Sequence, residues 1–247
     1  MDFSNVYVDE RRAAAYDQLE FPGTYYLAFR DLPGLMARYV RGGHALDFGC
    51  GAGRSTRFLK QLGFTAVGAD SSAEMLEHAR RRDPGGEYVL TDVALHALGE
   101  RNFKLVLAAF TFDNIPTAKE KLAYLSEIAG HLAPGGVFFN LVSSPEIYTH
   151  EWASFTTRDL PENRTARSGD QVKIVMTDVD DARPVVDVLW SEAAYRELYA
   201  LAGLNVFELH RPLGLPEEPF AWKSETSVAP WTIYVLGKPD SDGEPLR

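Results

Sequence analysis

The segment LDFGCGAGRST, from Leu46 to Thr56, decides how the rest of this sequence is interpreted. It begins with an apolar run, continues through Gly49, Gly51 and Gly53, and ends in residues that favour a helix. Glycine permits a tight turn and lets a ligand approach the backbone closely. A glycine-rich loop between a strand and a helix is typical of nucleotide-binding folds. The segment therefore predicts a site for a ligand that contains a nucleotide or an adenosine.

The spacing of the glycines argues against two common nucleotide-binding loops. A phosphate-binding loop of the form G-x-x-x-x-G-K-[ST] needs a lysine, and none follows Gly53. The dinucleotide fingerprint G-x-G-x-x-G/A fails in both frames, because its last position falls on Arg54 or on Thr56. The observed spacing is G-x-G-x-G, and Asp47 lies two residues before the first glycine.

Predicted strands and helices alternate on both sides of this loop. The predicted strands cover residues 45–48, 66–69, 87–91, 104–110, 137–142, 205–210 and 231–237. Helices are predicted after Gly53, after capping boxes at Ser71–Glu74 and Thr117–Glu120, and from Ser191 to Gly203. Strands that alternate with helices imply a parallel sheet covered on both faces. We therefore predict an α/β fold with a Rossmann-like, seven-stranded, mostly parallel sheet.

Two regions lie outside this alternation. Residues 1–40 are predicted to be helical but broken at Pro22-Gly23 and Pro33-Gly34. The segment 145–190 is too long to be a structureless loop. Within it, residues 171–177 and 184–190 are predicted to pair as a hairpin across an Asp-rich turn. The predicted organisation is an N-terminal helical lid (1–40), a cofactor-binding core (41–144), an inserted substrate cap (145–190), the C-terminal part of the core sheet (191–238) and a flexible tail (239–247).

Composition restricts the class of protein. The 247 residues are 45% hydrophobic, which argues against global disorder. The formal net charge of −10 argues against non-specific nucleic-acid binding, which needs a basic surface. With Cys50 as the single cysteine, no intramolecular disulfide and no cysteine metal cluster are expected. Neither a signal peptide nor an apolar span of 18 residues is evident, so we expect a soluble cytoplasmic protein.

The spaced acids and glycines resemble the class I S-adenosylmethionine-dependent methyltransferases, in the subgroup that acts on small molecules. The first motif of that family, an acid followed by G-x-G-x-G, matches Asp47 and Gly49–Gly53. An acid ends the second strand at Asp70, and another follows the third strand at Asp92. A Pro-Gly-Gly turn precedes the fifth strand at Pro134–Gly136. The resemblance covers residues 40–145 well and the last strands loosely.

The resemblance implies S-adenosylmethionine as cofactor and assigns roles to matched residues. Asp70 accepts hydrogen bonds from both ribose hydroxyls, Asp92 binds the adenine amino group, and Asp47 helps to hold the methionine end. The expected cofactor residues are Asp47, Gly49, Cys50, Gly51, Gly53, Asp70, Ser71, Met75, Asp92, Val93, Phe110 and Tyr16. Purely structural alternatives stay open: a glycine that serves packing, Asp70 as a helix cap, Asp92 as a turn residue and Cys50 as a small buried side chain.

The acceptor is expected at the carboxyl ends of the strands, where ligands bind in open parallel sheets. Aromatic residues are plentiful in the segments predicted there, and we expect Tyr26, Phe112 and Trp152 to contact the substrate. Aromatic rings can stabilise a sulfonium by cation–π contact. Ordinary core packing is the alternative for each of them. No H-x-x-x-H or H-E-x-x-H spacing indicates a metal site.

Catalysis of methyl transfer can rely mainly on positioning, which contributes roughly 7–11 kcal/mol in favourable cases. Asp113, His150 and His210 are the candidate bases by their positions, and a solvent-facing turn acid or structural histidines are the alternatives. The sequence FDNI stands where amino-methylating nucleic-acid enzymes carry N-P-P-Y, which further disfavours a nucleic-acid substrate. We expect in-line methyl transfer to the O, N or C atom of a small molecule. A non-methylating, cyclase-like enzyme and a cofactor-sensing module are the alternatives.

Overall fold

The computed structural model describes residues 23–179 and 183–239. Its strands are β1 Gly43–Phe48, β2 Phe64–Asp70, β3 Glu87–Leu90, β4 Phe103–Ala109, β5 Leu132–Ser143, β6 Phe155–Thr156, β7 Gln171–Met176, β8 Val185–Val188, β9 Asn205–His210 and β10 Trp231–Gly237. Its α-helices are α1 Thr24–Arg30, α2 Leu32–Tyr39, α3 Arg54–Gln61, α4 Ala73–Arg82, α5 Ala118–His131 and α6 Glu192–Leu201.

Seven of these strands form the central sheet, in the order β3-β2-β1-β4-β5-β10-β9. The pairs among β1 to β5 are parallel, whereas β10 pairs antiparallel with both β5 and β9. The register places Leu46 of β1 opposite both Val67 of β2 and Val106 of β4. The prediction of a seven-stranded, mostly parallel Rossmann-like sheet is confirmed.

Strand β4 shows why both faces of the sheet need helices. Leu105 and Leu107 pack in one buried cluster with residues of α1, α2 and α3. Val106 and Ala108 point to the other face and pack with residues of α5 and α6. Successive side chains in a strand point to opposite faces, so a continuously apolar strand is buried on both sides.

Two helix starts differ from the predictions. Ser72, rather than Ser71, caps α4, and its hydroxyl accepts a hydrogen bond from the Met75 amide at 3.2 Å. The shift by one residue follows from Asp70, whose carboxylate holds the Ser72 amide at 2.8 Å. At the N-terminal side, the break predicted at Pro33-Gly34 lies at Asp31, between α1 and α2, and Pro33 is in the first turn of α2, where proline is tolerated. Thr117 and Ser191 cap α5 and α6 as predicted.

Strand boundaries near the carboxyl ends also differ. Strand β4 ends at Ala109, one residue early, because Phe110 takes a left-handed conformation with φ 63°. A short 3₁₀ turn over Thr111–Asn114 follows it. Strand β5 begins at Leu132, and Pro134–Gly136 falls inside the strand at an irregularity in its pairing with β4. The left-handed Phe110 and the 3₁₀ turn after it thus change the direction of the chain at the end of β4, which lies beside β1.

The excursion after β5 has its own structure. Strands β6, β7 and β8 form a separate antiparallel sheet, so the predicted hairpin is confirmed, and the residues 180–182 of its turn lie outside the described ranges. Helix α1 is attached to this segment at its first residue, where the Thr24 amide donates to Ser154 Oγ at 2.9 Å. The Thr24 hydroxyl also donates to Glu225 at 2.6 Å. Within the described ranges, no helix is long and apolar enough to cross a bilayer.

Candidate active site

A cleft of about 350 Å³ opens at the carboxyl ends of β1, β2, β3 and β4. Eight of its lining residues are among those predicted to bind the cofactor: Gly49, Gly51, Asp70, Ser71, Met75, Asp92, Val93 and Phe110. The cleft lies where an open parallel sheet binds its ligands, and its volume falls in the range of small-molecule sites.

The glycine loop is tied to the end of β2. The amides of Gly49 and Cys50 both donate to the Ala69 carbonyl, at 2.8 and 3.0 Å. Gly49 has φ 72°, and a Cβ atom there would overlap the Thr111 side chain. Gly53 has φ 79°, and a Cβ atom there would lie 2.6 Å from the Tyr88 hydroxyl. Glycine is required at both positions because of conformation and space together.

Asp70 links this loop to the start of α4. One carboxylate oxygen accepts from the Gly51 amide and the other from the Ser72 amide, each at 2.8 Å. Burial raises the pKa of Asp70, and the backbone hydrogen bonds oppose that shift. A carboxylate offers about four lone-pair positions. Asp70 therefore stabilises the start of α4 and keeps acceptor capacity on the cleft side.

The far end of the cleft combines apolar and acidic side chains. Asp92 is exposed, and its carboxylate lies 3.0 Å from Nδ1 of His96, which lowers the pKa of Asp92. Val93 is 42% exposed and places an apolar surface at the cleft edge. Met75 is buried and borders the cleft on the side of α4.

Asp47 does not line the cleft. It is fully buried, and one carboxylate oxygen accepts hydrogen bonds from Ser55 Oγ at 2.7 Å and from Thr56 Oγ1 at 2.6 Å. The other oxygen has no hydrogen-bond partner among the described residues. Burial raises the pKa of Asp47 to about 6. Asp47 thus holds the first turn of α3 beneath the loop, and its role at the methionine end of the cofactor stays a prediction.

Cys50 and Gly53 also lie outside the cleft lining. Cys50 is buried against Leu76, Ala79 and Tyr88. Burial raises the pKa of the Cys50 thiol well above its ordinary value, so the thiolate that nucleophilic chemistry needs is disfavoured. Cys50 fits the alternative of a small buried side chain.

A second, smaller space lies next to the cleft, and we call it the inner cavity. Its volume is about 30 Å³. Phe110 and Asn114 line both the cleft and the inner cavity. The other lining residues of the inner cavity are Tyr25, Asp113, Ser143, Ile147, Tyr148, Phe155, Ile174, Met176, Val185, Asp187 and Trp231. Residues from α1, the end of β4, the end of β5 and the segment 145–190 thus meet at one point.

Asp113 lines this inner cavity rather than a solvent-facing rim. Its carboxylate accepts from the Ser143 amide at 3.0 Å and from the Ser143 hydroxyl at 2.9 Å. It therefore also has a structural task, the attachment of the turn after β4 to the end of β5. Burial raises the pKa of Asp113 to about 6, while Ser143 and the neighbouring Lys121 oppose that shift.

The aromatic residues expected to contact substrate lie elsewhere. Phe112 is fully buried on the opposite face of the sheet, against Phe48 and Phe138. Trp152 is also fully buried, and its indole donates to the Ile147 carbonyl at 2.8 Å. Both residues fit the packing alternative.

Tyr26 and the histidines also lie off both cavities. Tyr26 packs on Phe220, with ring centroids 5.0 Å apart. The His150 ring lies 3.1 Å from the Glu146 carbonyl. His210 pairs with Asp31 at 2.7 Å, and Tyr16 lies outside the described residues. Within those residues, no cluster of three or more His, Cys, Asp or Glu side chains is placed to hold a metal ion.

Sequence reasoning missed several residues that line the two spaces. In the cleft these are Phe48, Ala69, Ser72, Thr91, Ala109, Thr111, Asn114, Ile115, Pro116, Glu120 and Tyr124. Those in the segment 109–116 follow β4 directly, so their position in sequence was a usable signal. Asp187 reaches the inner cavity by tertiary packing, and no local pattern marks it.

Comparison with known proteins agrees with this geometry. A family model described as a methyltransferase domain matches residues 45–136. The chain is 34% identical over 224 residues to a malonyl-[acyl-carrier protein] O-methyltransferase of Enterobacter lignolyticus (strain SCF1), covering 84% of this chain and 86% of the relative. It is 30% identical over 181 residues to a dTDP-3-amino-3,4,6-trideoxy-alpha-D-glucopyranose N,N-dimethyltransferase of Streptomyces venezuelae, covering 65% and 75%.

Two further matches concern a shorter part of a relative and the fold of a solved structure. The match to a trans-aconitate 2-methyltransferase of Rhodopseudomonas palustris (strain BisA53) has 36% identity and spans 35% of that relative. The crystal structure of Streptomyces venezuelae DesVI superposes with a TM-score of 0.63 at 24% identity, over 92% of this chain and 98% of that one, which supports the fold. The chain belongs to the class I S-adenosylmethionine-dependent methyltransferases.

Proposed function

We propose that the methyl group passes in line from the cofactor in the cleft to an acceptor in the inner cavity, at the boundary formed by Phe110 and Asn114. The observation that carries this proposal is that these two residues line both spaces. Donor and acceptor must approach within about 3 Å along one line, which two adjoining sites with a common wall make possible.

The residues of the cleft fit S-adenosylmethionine. Asp70 has acceptor capacity left for the two ribose hydroxyls. Gly51 supports this fit, because a Cβ atom there would lie 3.1 Å from the Met75 methyl and narrow the cleft. Val93 and Met75 offer apolar contact for an adenine, and Asp92 stands beside them as an acceptor for the amino group. When bound, the cofactor supplies a methyl group activated by a sulfonium.

The residues of this chain position the reactants. Phe110 packs against Trp231, with ring centroids 4.7 Å apart, and against Tyr25 at 5.7 Å. These rings make the boundary between the two spaces apolar, and electrostatic interactions there would strengthen once bound reactants displace water. Asp113 is the candidate proton acceptor, because its carboxylate faces the inner cavity and burial raises its pKa to about 6.

We include in the proposal that helix α1 acts as a lid and that the segment 145–190 acts as a substrate cap. Tyr25 of α1 and Ile174 of β7 both line the inner cavity, so an acceptor bound there would contact both parts. The names of the relatives include an O-methyltransferase and an N,N-dimethyltransferase, so they leave the acceptor atom open.

Two measurements test this function. Calorimetry should detect binding of S-adenosylmethionine and S-adenosylhomocysteine but not of NAD. Incubation with methyl-labelled cofactor and a metabolite extract should then yield S-adenosylhomocysteine and a labelled small molecule. Cofactor binding without any turnover would favour a sensing module, and NAD binding without binding of the sulfonium compound would overturn the proposal.

A further inference from the structure

The inner cavity presents negative charge to its occupant. Asp113 and Asp187 contribute carboxylates from different parts of the chain, and both residues are buried. The Tyr148 hydroxyl donates to Asp187 at 3.1 Å, just as Ser143 donates to Asp113. No Lys, Arg or His side chain from residues 23–179 and 183–239 lines this cavity.

One cation near these carboxylates, Lys121, is outside the lining of the inner cavity. Lys121 of α5 is fully buried and interacts electrostatically with both Asp113 and Asp187. Its ammonium donates to the Phe112 carbonyl and lies 5.2 Å from the centre of the Trp190 ring. Lys121 thus interacts favourably with Asp113 and Asp187 without lining the cavity, whereas both acids line it.

The remaining walls of the inner cavity also suit a cation. Tyr25, Phe110, Phe155 and Trp231 form a connected group of rings, with centroid separations of 4.7 to 5.9 Å. Aromatic rings attract cations through their quadrupole, most strongly where water is excluded. Carboxylates and rings together favour a positively charged group and disfavour an anion.

We propose that the acceptor is an amine, which binds as an ammonium in the inner cavity and is methylated on nitrogen. This inference rests on the proposed function and names the acceptor class for the same site. A volume of about 30 Å³ admits roughly two water-sized groups, so the cavity fits an amine head group rather than a whole metabolite. A carboxylate acceptor would instead meet the buried carboxylates of Asp113 and Asp187.

The reaction balances with the groups present. The bound ammonium gives one proton to the carboxylate of Asp113 or Asp187, and the freed nitrogen lone pair forms the C–N bond. The C–S bond breaks as this happens, and its electron pair stays on sulfur as S-adenosylhomocysteine. The product leaves as the methylated ammonium, and the protonated aspartate then loses its proton to water. The raised pKa of Asp113 suits it to receive that proton.

Fractionation of the acceptor tests the inference directly. A metabolite extract is separated by ion exchange at neutral pH into cationic, neutral and anionic fractions, and each is incubated with the enzyme and ¹³C-methyl-labelled S-adenosylmethionine. We expect the labelled product in the cationic fraction, with the label on nitrogen. A labelled ester, ether or C-methyl product would overturn the amine assignment and leave methyl transfer intact. No labelled product and no binding of S-adenosylhomocysteine would overturn the proposed function itself.

Charge-removing variants test the site with the amine acceptor identified in that way. Asp113→Asn and Asp187→Asn each keep an oxygen that Ser143 or Tyr148 can use as an acceptor. We expect the KM for the amine to rise at least about tenfold in each, while affinity for S-adenosylhomocysteine changes less than about twofold. Asp159→Asn, at an exposed acid of the same segment, is the matched control and should behave as the parent.

Thermal melting followed by circular dichroism shows which variants are folded. If Asp113→Asn fails to fold because the contact with Ser143 is weakened, Asp187→Asn decides the question. An unchanged KM for the amine in the folded variants would overturn the assignment of the inner cavity as an ammonium site.

Discussion

The Gly51 amide donates a hydrogen bond to the Asp70 carboxylate at 2.8 Å, so the middle of the glycine loop is anchored to the end of β2. The same carboxylate holds the Ser72 amide at the start of α4. One acid therefore fixes the loop, the helix start and one side of the cleft. This arrangement explains why an acid is needed at that position even before a ligand is bound.

Replacing Asp70 by Ala should weaken cofactor binding. The variant loses two charge-assisted acceptor positions in the cleft, each of which contributes roughly 1.5–3 kcal/mol, so we expect the Kd for S-adenosylhomocysteine to rise about ten- to a hundredfold. Calorimetry measures the change. Glu77→Ala, at an exposed position of helix α4, is the control and should bind as the parent. Unchanged affinity in a folded Asp70→Ala variant would show that Asp70 stabilises the start of α4 but does not bind the cofactor.

Gly49→Ala should destabilise the protein and impair the cleft together. A non-glycine residue in the left-handed region costs about 1–3 kcal/mol, and here the added methyl group also overlaps Thr111, which lines the cleft. Urea unfolding should show at least that loss, with weaker cofactor binding. Gly85→Ala is the matched control, because an added Cβ atom there meets no atom within 4 Å, and its effect should stay within about 0.5 kcal/mol. Equal stabilities of the two variants would contradict the steric explanation.

Asp47 should make stability depend on pH in a defined direction. Burial raises its pKa from 3.8 to about 6, so the folded state binds more protons than the unfolded state between those values. The stabilising contribution of this group is present below the lower pKa and is lost as the pH rises through the higher one. Asp47→Asn removes the titration, so the stability of the variant relative to the parent should rise on the order of 2 kcal/mol between about pH 4 and pH 6.5.

Urea unfolding of the parent and of Asp47→Asn at both pH values measures this difference. Asp159→Asn removes an exposed acid, and its stability relative to the parent should change little over the same interval. A constant difference between Asp47→Asn and the parent would show that the buried carboxyl does not titrate in this range.

The segment 145–190 should gain hydrogen-exchange protection when the acceptor site is filled. Ile174 and Met176 of β7 and Val185 of β8 line the inner cavity, so occupancy there should reduce local opening of the hairpin. Exchange is compared for the free protein, for the complex with S-adenosylhomocysteine, and for that complex with the acceptor added. Helix α6, which lines neither space, is the internal reference. Equal exchange in all three states would assign the hairpin to the scaffold.

The sequence by itself determined the sheet, the glycine loop and the acid at the end of β2. These features depend on local periodicity and on glycines in left-handed conformations, and both leave a pattern within a few residues. The positions of Asp70 and Asp92 were predictable for the same reason, since each acid follows directly from the end of a strand. The carboxyl ends of parallel strands necessarily meet at one edge of the sheet.

Only the tertiary structure decided which side chains face the two spaces. Phe110 lines both, whereas Phe112, two residues later, packs on the opposite face, because the chain leaves the strand geometry at the left-handed Phe110. Asp187 joins Asp113 because β8 packs against the turn after β4, a long-range contact without a local signal. Asp47 is the acid that precedes the glycines of the loop, yet it lies beneath the loop because Ser55 and Thr56 of α3 hold its carboxylate there. Side-chain direction after an irregular backbone, and contacts between distant segments, are set by packing and not by sequence spacing.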